Sequence, residues 1–356
     1  MADDTTRTAT DLYAVAWNHG TPSRRSAPEA PIQVHRHDQR TWILRQSKTL
    51  NYEAPFLFLL LGTERALLLD TGAVGDPEAF PLRATVDSLL AEHLAAHPRE
   101  DYRLVVAHTH PHGDHVAADG QFADRPATVV VGHGVEAVRE FFGFTDDTWP
   151  TGSVVFDLGG RPLELLPSPG HHEASVTVHD PATGWLLTGD TVLPGRLYIS
   201  DAAAYLATLD RLVDFAKTHE VSHVLGCHVE MTDRPRRDYP LGAVQQPRER
   251  PLPLTAAHLS GIRDAVAALG GKKDTIRAYD DFVVYLEPGH GQAPPPRPRT
   301  GPPTGRPLPP TVTPAAQSGR GPARSAGPFR GRRTGDAAVT AAAGGEHRRD
   351  TCLETK

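Results

Sequence analysis

Cysteine is almost missing from this chain: Cys227 and Cys352 are the two in 356 residues, which excludes a disulfide framework and is compatible with a reducing compartment. Long apolar runs are missing as well. The longest, residues 56–61, is far shorter than the ~20 residues that cross a bilayer, so no membrane partner is expected. Residues 1–7 lack the basic start and apolar stretch of a secretory signal, and a cytoplasmic location is the expectation. No internal repeat of useful period is visible. A basic surplus is absent from most of the chain: the formal charge is -6, and residues 291–356 hold 11 Lys and Arg against 4 Asp and Glu, which leaves residues 1–290 at -13. Such an acidic body matches a polyanion poorly, because phosphate contacts rely on Lys and Arg, so no nucleic acid is expected for it and a small-molecule substrate fits better. Oligomeric state is not legible.

What is present is concentrated in one stretch, His108-Thr109-His110-Pro111-His112-Gly113-Asp114-His115, directly after the apolar run Leu104-Val105-Val106-Ala107. Imidazole is the commonest metal ligand, and here it is repeated in register with a carboxylate. In an extended turn, residues two apart face the same way, so His110 and His112 can grip one ion together. Gly113 permits a change of direction, and Asp114 and His115 then open a helical turn whose N-terminus favours a carboxylate. His110 and His112 suit one metal, Asp114 and His115 a second. His108 lies in phase with His110 but one step inside the strand, and reads as a packing histidine or one that stands behind the ligands.

The string resembles the His-x-His-x-Asp-His signature of the metallo-β-lactamase-fold hydrolases, and four further segments resemble that family's other motifs in the same order. Ala66-Leu67-Leu68-Leu69-Asp70-Thr71-Gly72 looks like the first, a buried strand ending in an Asp that supports the metal loop. Ser168-Pro169-Gly170-His171 looks like the third, Leu187-Thr188-Gly189-Asp190 the fourth, and Val224-Leu225-Gly226-Cys227-His228 the fifth. The resemblance covers about residues 32–235. It implies that His110, His112 and His171 hold a first metal, that Asp114, His115 and His228 hold a second, and that Asp190 bridges them. His172 follows His171, but Pro169-Gly170-His171 favours the first of the pair. Cys227, one residue before a ligand in a strand, would face away from His228 and pack in the core.

Short β-branched or Leu-rich runs at 55–62, 65–70, 102–107, 127–131, 153–158, 162–166, 175–179, 185–188 and 221–225 read as strands. Helical spacing occupies 85–96, 135–142 and 201–219, and Leu259, Ile262, Ala265, Val266 and Leu269 mark a further amphipathic helix. Periodicity alone gives a mixed α/β domain; the resemblance implies an αββα sandwich with metals at one edge. The 39% hydrophobic content suffices for a substantial core. The expected organisation is a catalytic domain over 1–290, with its core at about 32–235 and a C-terminal helical extension at about 255–290. Residues 291–356, with 12 Pro and 10 Gly and few large apolar side chains, are expected to form a disordered linker-like tail.

Two divalent ions sharing a water would lower its pKa from ~16 to about 7 and supply a bridging hydroxide near neutral pH. Asp114 would orient it, one ion would polarise the substrate, and the other would stabilise the leaving anion. Zinc is the default for this imidazole-rich set, while the carboxylates of Asp114 and Asp190 also suit iron or manganese. Asp190 stands where the zinc β-lactamases of the fold usually carry Cys or Ser, and where glyoxalase II-like thioesterases, lactonases and phosphodiesterases carry Asp. The expected reaction is hydrolysis of a small ester, thioester or lactone. Phosphodiester or β-lactam hydrolysis, or persulfide dioxygenase chemistry at one iron, are the alternatives. Tyr198, eight residues after Asp190 in a loop expected to pass over the metals, is a candidate oxyanion donor. Phe141, Phe142, Phe144 and Trp149 read as core or lid packing, and Arg234, Arg236 and Arg237 as a solvated turn.

Overall fold

A computed structural model describes residues 10–21, 29–272 and 274–286. The stretches 1–7 and 291–356 and Cys352, for which location and disorder were expected, lie outside the described residues. In chain order the elements are β1 (Ile32–Asp38), β2 (Thr41–Gln46), β3 (Phe56–Leu61), β4 (Arg65–Leu69), α1 (Leu82–Ala96), β5 (Arg103–Ala107), the single turn α2 (Gly113–Val116), β6 (Thr128–Val130) and α3 (Val135–Phe142). The second half comprises β7 (Val154–Asp157), β8 (Pro162–Pro167), β9 (Val176–Asp180), β10 (Trp185–Gly189), β11 (Arg196–Ile199), α4 (Ala202–Thr218), β12 (His223–Gly226), α5 (Ala256–Leu269), β13 (Thr275–Ala278) and β14 (Val283–Leu286).

Strands β1 to β6 form one sheet in sequence order, and a second sheet runs β12-β10-β9-β8-β7. Period-two alternation decides how they stack. In β3, Phe56, Phe58 and Leu60 face a core shared with Leu163, Leu165, Val176, Val178 and Leu187 of the second sheet. The alternate residues Leu57, Leu59 and Leu61 face Leu82, Val86 and Leu90 of α1. On the far side of the second sheet, Leu186 and Val224 meet Tyr205, Leu209 and Leu212 of α4 and Leu259 and Ile262 of α5. The order of layers is therefore helix, sheet, sheet, helix, the αββα sandwich expected. Each fully buried Leu or Phe in these layers contributes roughly 1.5–3 kcal/mol. Asp201 starts α4 by accepting hydrogen bonds from the Ala203 and Ala204 amides, both at 3.0 Å. The aromatic cluster is core packing, with Phe142 and Phe144 buried and Phe141 and Trp149 packed against them.

Two expectations need correction. The segment read as a loop before Tyr198 ends in β11, which pairs in parallel with β14. The C-terminal extension is not purely helical either: α5 is followed by the antiparallel pair β13 and β14, which with β11 makes a third sheet. Strands β1 and β2 also escaped the sequence pattern, because β2 is buried at every position while carrying Thr41, Arg45 and Gln46. Arg45 is tolerated there because Glu249, 204 residues away, accepts two hydrogen bonds from it at 2.6 Å.

Register places the functional segments together. Strands β4 and β5 run parallel with Leu69 opposite Ala107, and β10 and β12 run parallel with Gly189 opposite Gly226. Asp70, the His108–His115 stretch, Asp190 and His228 thus all leave the sheets at the same edge, joined by the β8–β9 turn that carries His171.

Candidate metal centre

The turn that presents His171 requires glycine. Gly170 has φ +135°, and a Cβ there would lie 2.4 Å from the Tyr205 Cα. Gly189, at φ +54° before Asp190, is similarly closed, with a Cβ falling 2.6 Å from the Thr109 Cβ. These close approaches bring the predicted ligands into two groups.

In the first group, His171 Nε2 lies 3.1 Å from His110 Nε2 and 3.0 Å from His112 Nδ1, and those two are 2.9 Å apart. Three ring nitrogens aimed at one another cannot all be satisfied by shared protons, since each neutral ring carries one N–H for two nitrogens. One cation between them resolves the conflict, since an opening of a few tenths of an ångström brings the nitrogens to the spacing that ligand bonds of ~2.0–2.1 Å need. In the second group, His228 Nε2 lies 3.1 Å from Asp114 Oδ2 and 3.4 Å from His115 Nε2. Asp190 faces both groups. Its Oδ1 is 3.6 Å from His115 Nε2 and 3.5 Å from His228 Nε2, and its Oδ2 is 4.0 Å from His110 Nε2 and 3.9 Å from His171 Nε2. That Oδ1 is buried without a hydrogen-bond partner, an acceptor that a cation would satisfy. The donor set and the orphaned oxygen both fit a pair of divalent ions.

Protonation differs between the groups. Burial holds the His110 imidazole well below its ordinary value and pulls that of His171 down to about 4, leaving neutral rings suited to ligation. In the second group burial acts the same way but is outweighed: Asp70 and Asp190 raise His115, and Asp190 and Asp114 raise His228 to about 9. Burial would also raise the carboxylates, yet the adjacent His115 and His228 hold Asp114 and Asp190 well below the usual range. Protons there occupy the place of a cation and would leave on its arrival.

The second nitrogen of most of these rings is fixed by a partner, which sets the face each ring turns inward. His171 Nδ1 donates to the Tyr198 carbonyl at 2.7 Å, and His228 Nδ1 to the Glu53 carbonyl at 2.9 Å. His115 Nδ1 meets Asp70 Oδ2 at 3.1 Å, and Asp70 also accepts from the Thr109 amide at 2.7 Å and from the Cys227 thiol at 3.1 Å. Asp70 thus supports the loop from beneath. Cys227 is buried in the core as expected, but its thiol touches the site's support.

Tyr198 is placed differently from its expectation as an oxyanion donor. Its carbonyl holds His171, while its ring packs beside Met231, Val283 and Tyr285, the last with ring centroids 5.0 Å apart. Sequence reasoning missed Glu53 and the carbonyl of Tyr198, since any residue type supplies a carbonyl and no side-chain signal marks it. It also missed Thr109, whose hydroxyl bonds Asp70 at 2.9 Å and whose smallness gave no hint. Arg236 pairs with Asp280 at the surface, as a solvated turn would. His112 is exposed and Asp114 is the more open of the two acidic ligands, so solvent reaches the site from their side. A cavity of about 490 Å³ opens there, lined by His112, His171, His172, Glu173, Ser200 and Asp201 among others.

The sequence profile of the metallo-beta-lactamase superfamily matches residues 54–220, which include six of the seven predicted ligands. Over that span the chain is similar to the superfamily. Among curated members, the hydroxyacylglutathione hydrolase of Rhizobium meliloti (strain 1021) is 30% identical over 147 residues, covering 40% of this chain and 52% of that protein. The acyl-coenzyme A thioesterase MBLAC2 of Homo sapiens is 27% identical over 206 residues, covering 48% of this chain and 72% of that protein. The match thus spans about half of the first relative's length and more of the second. A solved metallo-beta-lactamase from Pontibacter korlensis aligns with a TM-score of 0.45 at 18% identity, over 66% of this chain and 99% of that chain.

Proposed function

We propose that this chain is a metal-dependent hydrolase of small thioesters or esters, with His110, His112 and His171 holding one divalent ion, Asp114, His115 and His228 a second, and Asp190 both. The observation that carries this reading is the convergence of six side chains from three segments on the Asp190 carboxylate, whose Oδ1 is buried and unpartnered. When bound, two such ions would supply a water that ionises near neutral pH and Lewis-acid polarisation of the substrate carbonyl. Zinc suits the five imidazoles; iron and manganese are the competitors.

The chain's own residues do the rest. Asp114, at the open side of the second group, accepts a hydrogen bond from the attacking water and aims its lone pair at the carbonyl carbon. Asp70 and Thr109 hold the loop so that this aim is kept without reorganisation during the reaction. Tyr198 acts through its carbonyl by fixing His171. The cavity beside His112 and His172 receives the substrate, and its polar lining suits a hydrophilic thiol or acyl portion.

Thioesters are favoured over β-lactams by Asp190 as the shared carboxylate, and over both β-lactams and phosphodiesters by the two relatives, whose names describe thioester hydrolases. A cytoplasmic location fits the scarcity of cysteine; among the described residues no helix is long and apolar enough to cross a membrane. The test is a panel of hydroxyacyl-glutathione, acyl-coenzyme A, lactone, phosphodiester and β-lactam substrates on protein purified without chelator. Thioester turnover fastest, with two metal equivalents, is the expected result. Turnover confined to β-lactams or phosphodiesters, or one iron with oxygen consumption, would overturn the proposal.

A further inference from the structure

A third group of metal-binding side chains stands apart from the seven. His108 leaves the end of β5, Asp119 lies in the short helical turn after α2, and His133 follows β6. His108 Nε2 is 2.8 Å from Asp119 Oδ1, and His133 Nε2 is 2.7 Å from Asp119 Oδ2. The two rings meet edge to face at 88° with centroids 5.0 Å apart. That arrangement closely matches the imidazole pairs of the first group, which cross at 79–86° with centroids 4.5–4.7 Å apart.

We infer that His108, Asp119 and His133 form a further, weaker site for a zinc-like divalent cation. Two imidazoles and a carboxylate leave at least one position open, the mark of a site completed by water. A cavity of about 10 Å³, room for a single water-sized atom, lies against His108 and His133 on the side away from Asp119, where Val131, Val138, Phe142 and the ring of His110 also line it. Ligands around a small ion sit roughly 3.3 Å apart, given bonds of ~2.0–2.2 Å, so the group must open by about half an ångström to admit one. His133 can supply that movement, with 44% of its side chain exposed in a loop. The remaining Asp119 contact explains what occupancy would do. Thr71 Oγ1 donates to Asp119 Oδ1 at 2.7 Å, and the Thr71 amide donates to the His115 carbonyl at 2.7 Å. Drawing Asp119 onto a cation therefore pulls on the backbone that carries a proposed ligand of the main centre. The inference stands whether or not the main centre is dinuclear.

The test is equilibrium dialysis of full-length protein against rising Zn²⁺, with bound metal counted by mass spectrometry, for wild type, His133→Ala and His133→Gln. Glutamine keeps an N–H for Asp119 but is a poor zinc ligand, so it separates a hydrogen-bonded brace from a metal site. Wild type is expected to take up one more equivalent than both variants, with the variants' affinity for it reduced beyond the roughly 10–100-fold that outer-sphere changes cost. Equal uptake by all three proteins would overturn the inference. Failure of the dinuclear reading would instead change the baseline common to all three and leave the difference between them intact.

Discussion

The two ends of the sandwich both bury charge, and they treat it in opposite ways. At the end away from the proposed metal ligands, Arg161 and Asp180 are both almost fully buried and pair through contacts of 3.2 and 2.6 Å. The rest of the guanidinium is used up on the Arg40 carbonyl at 2.6 Å, the Leu61 carbonyl at 3.3 Å and the Thr41 hydroxyl at 2.8 Å, which ties the first sheet to the second. Burial would raise Asp180, but Arg161 outweighs it and holds the carboxyl below its ordinary value. Every charge there is answered within the chain. At the other end, Asp190 keeps a buried oxygen without a partner and three imidazoles crowd nitrogen against nitrogen. The first arrangement is complete as a fold; the second is completed by something the chain does not encode. The contrast separates a structural ion pair from a binding centre more sharply than burial or charge would alone.

Breaking each end should therefore give different losses. Asp190→Ala is expected to lower kcat by at least about 10²–10³-fold and to abolish the stabilisation that added metal confers, both read from turnover and from melting with and without chelator. Arg161→Met leaves Asp180 charged and unpaired, and is expected to cost about 3–5 kcal/mol of unfolding free energy, equally with and without chelator. A chelator-dependent loss in Arg161→Met would erase the distinction.

The pH dependence of metal-free protein sharpens the comparison further. His228, raised to about 9, binds its proton more tightly folded than unfolded, so its contribution is complete below about pH 6.5 and is lost as pH rises through 9. His171, lowered to about 4, acts in reverse: its contribution is present above about pH 6.5 and falls away as pH drops toward 4. Urea unfolding from pH 4 to 9 should show stability falling on both sides of the middle of that range. The Arg161–Asp180 pair adds slope only at the acid limit of that range, because Asp180 is held below its ordinary value and its contribution starts to fall only as pH approaches that value. In His171→Ala the acid-side fall should shrink while the alkaline-side fall persists. The smallest effect is expected for Tyr198→Phe, which keeps the carbonyl on His171 and should change kcat by less than about threefold; a loss of tenfold or more would restore the phenol to the chemistry.

Much of this was legible because the binding end is written in side chains at strand ends. The spacing of His110, His112, Asp114 and His115 follows from strand and turn geometry, and His171, Asp190 and His228 each follow a buried strand. The alternation in β3 and the faces of α4 and α5 were equally readable, since period and burial coincide there. The complete end was not legible. Arg161 and Asp180 are ordinary polar residues until folding brings them together, and Arg45 in β2 reads as exposed until Glu249 arrives from far along the chain. Sheet β11-β14-β13 was missed for a related reason, because β11 and β14 pair across the whole of α4, β12 and α5. Contacts made by backbone carbonyls, such as Tyr198 to His171 and Glu53 to His228, have no side-chain signature at all.

The most direct test of the central claim is the metal content of full-length protein purified without chelator and dialysed against metal-free buffer. Two equivalents in wild type, falling to about one in His171→Ala and in His228→Ala, is the result this account predicts. Wild type holding one equivalent or none, or variants that retain both, would contradict it.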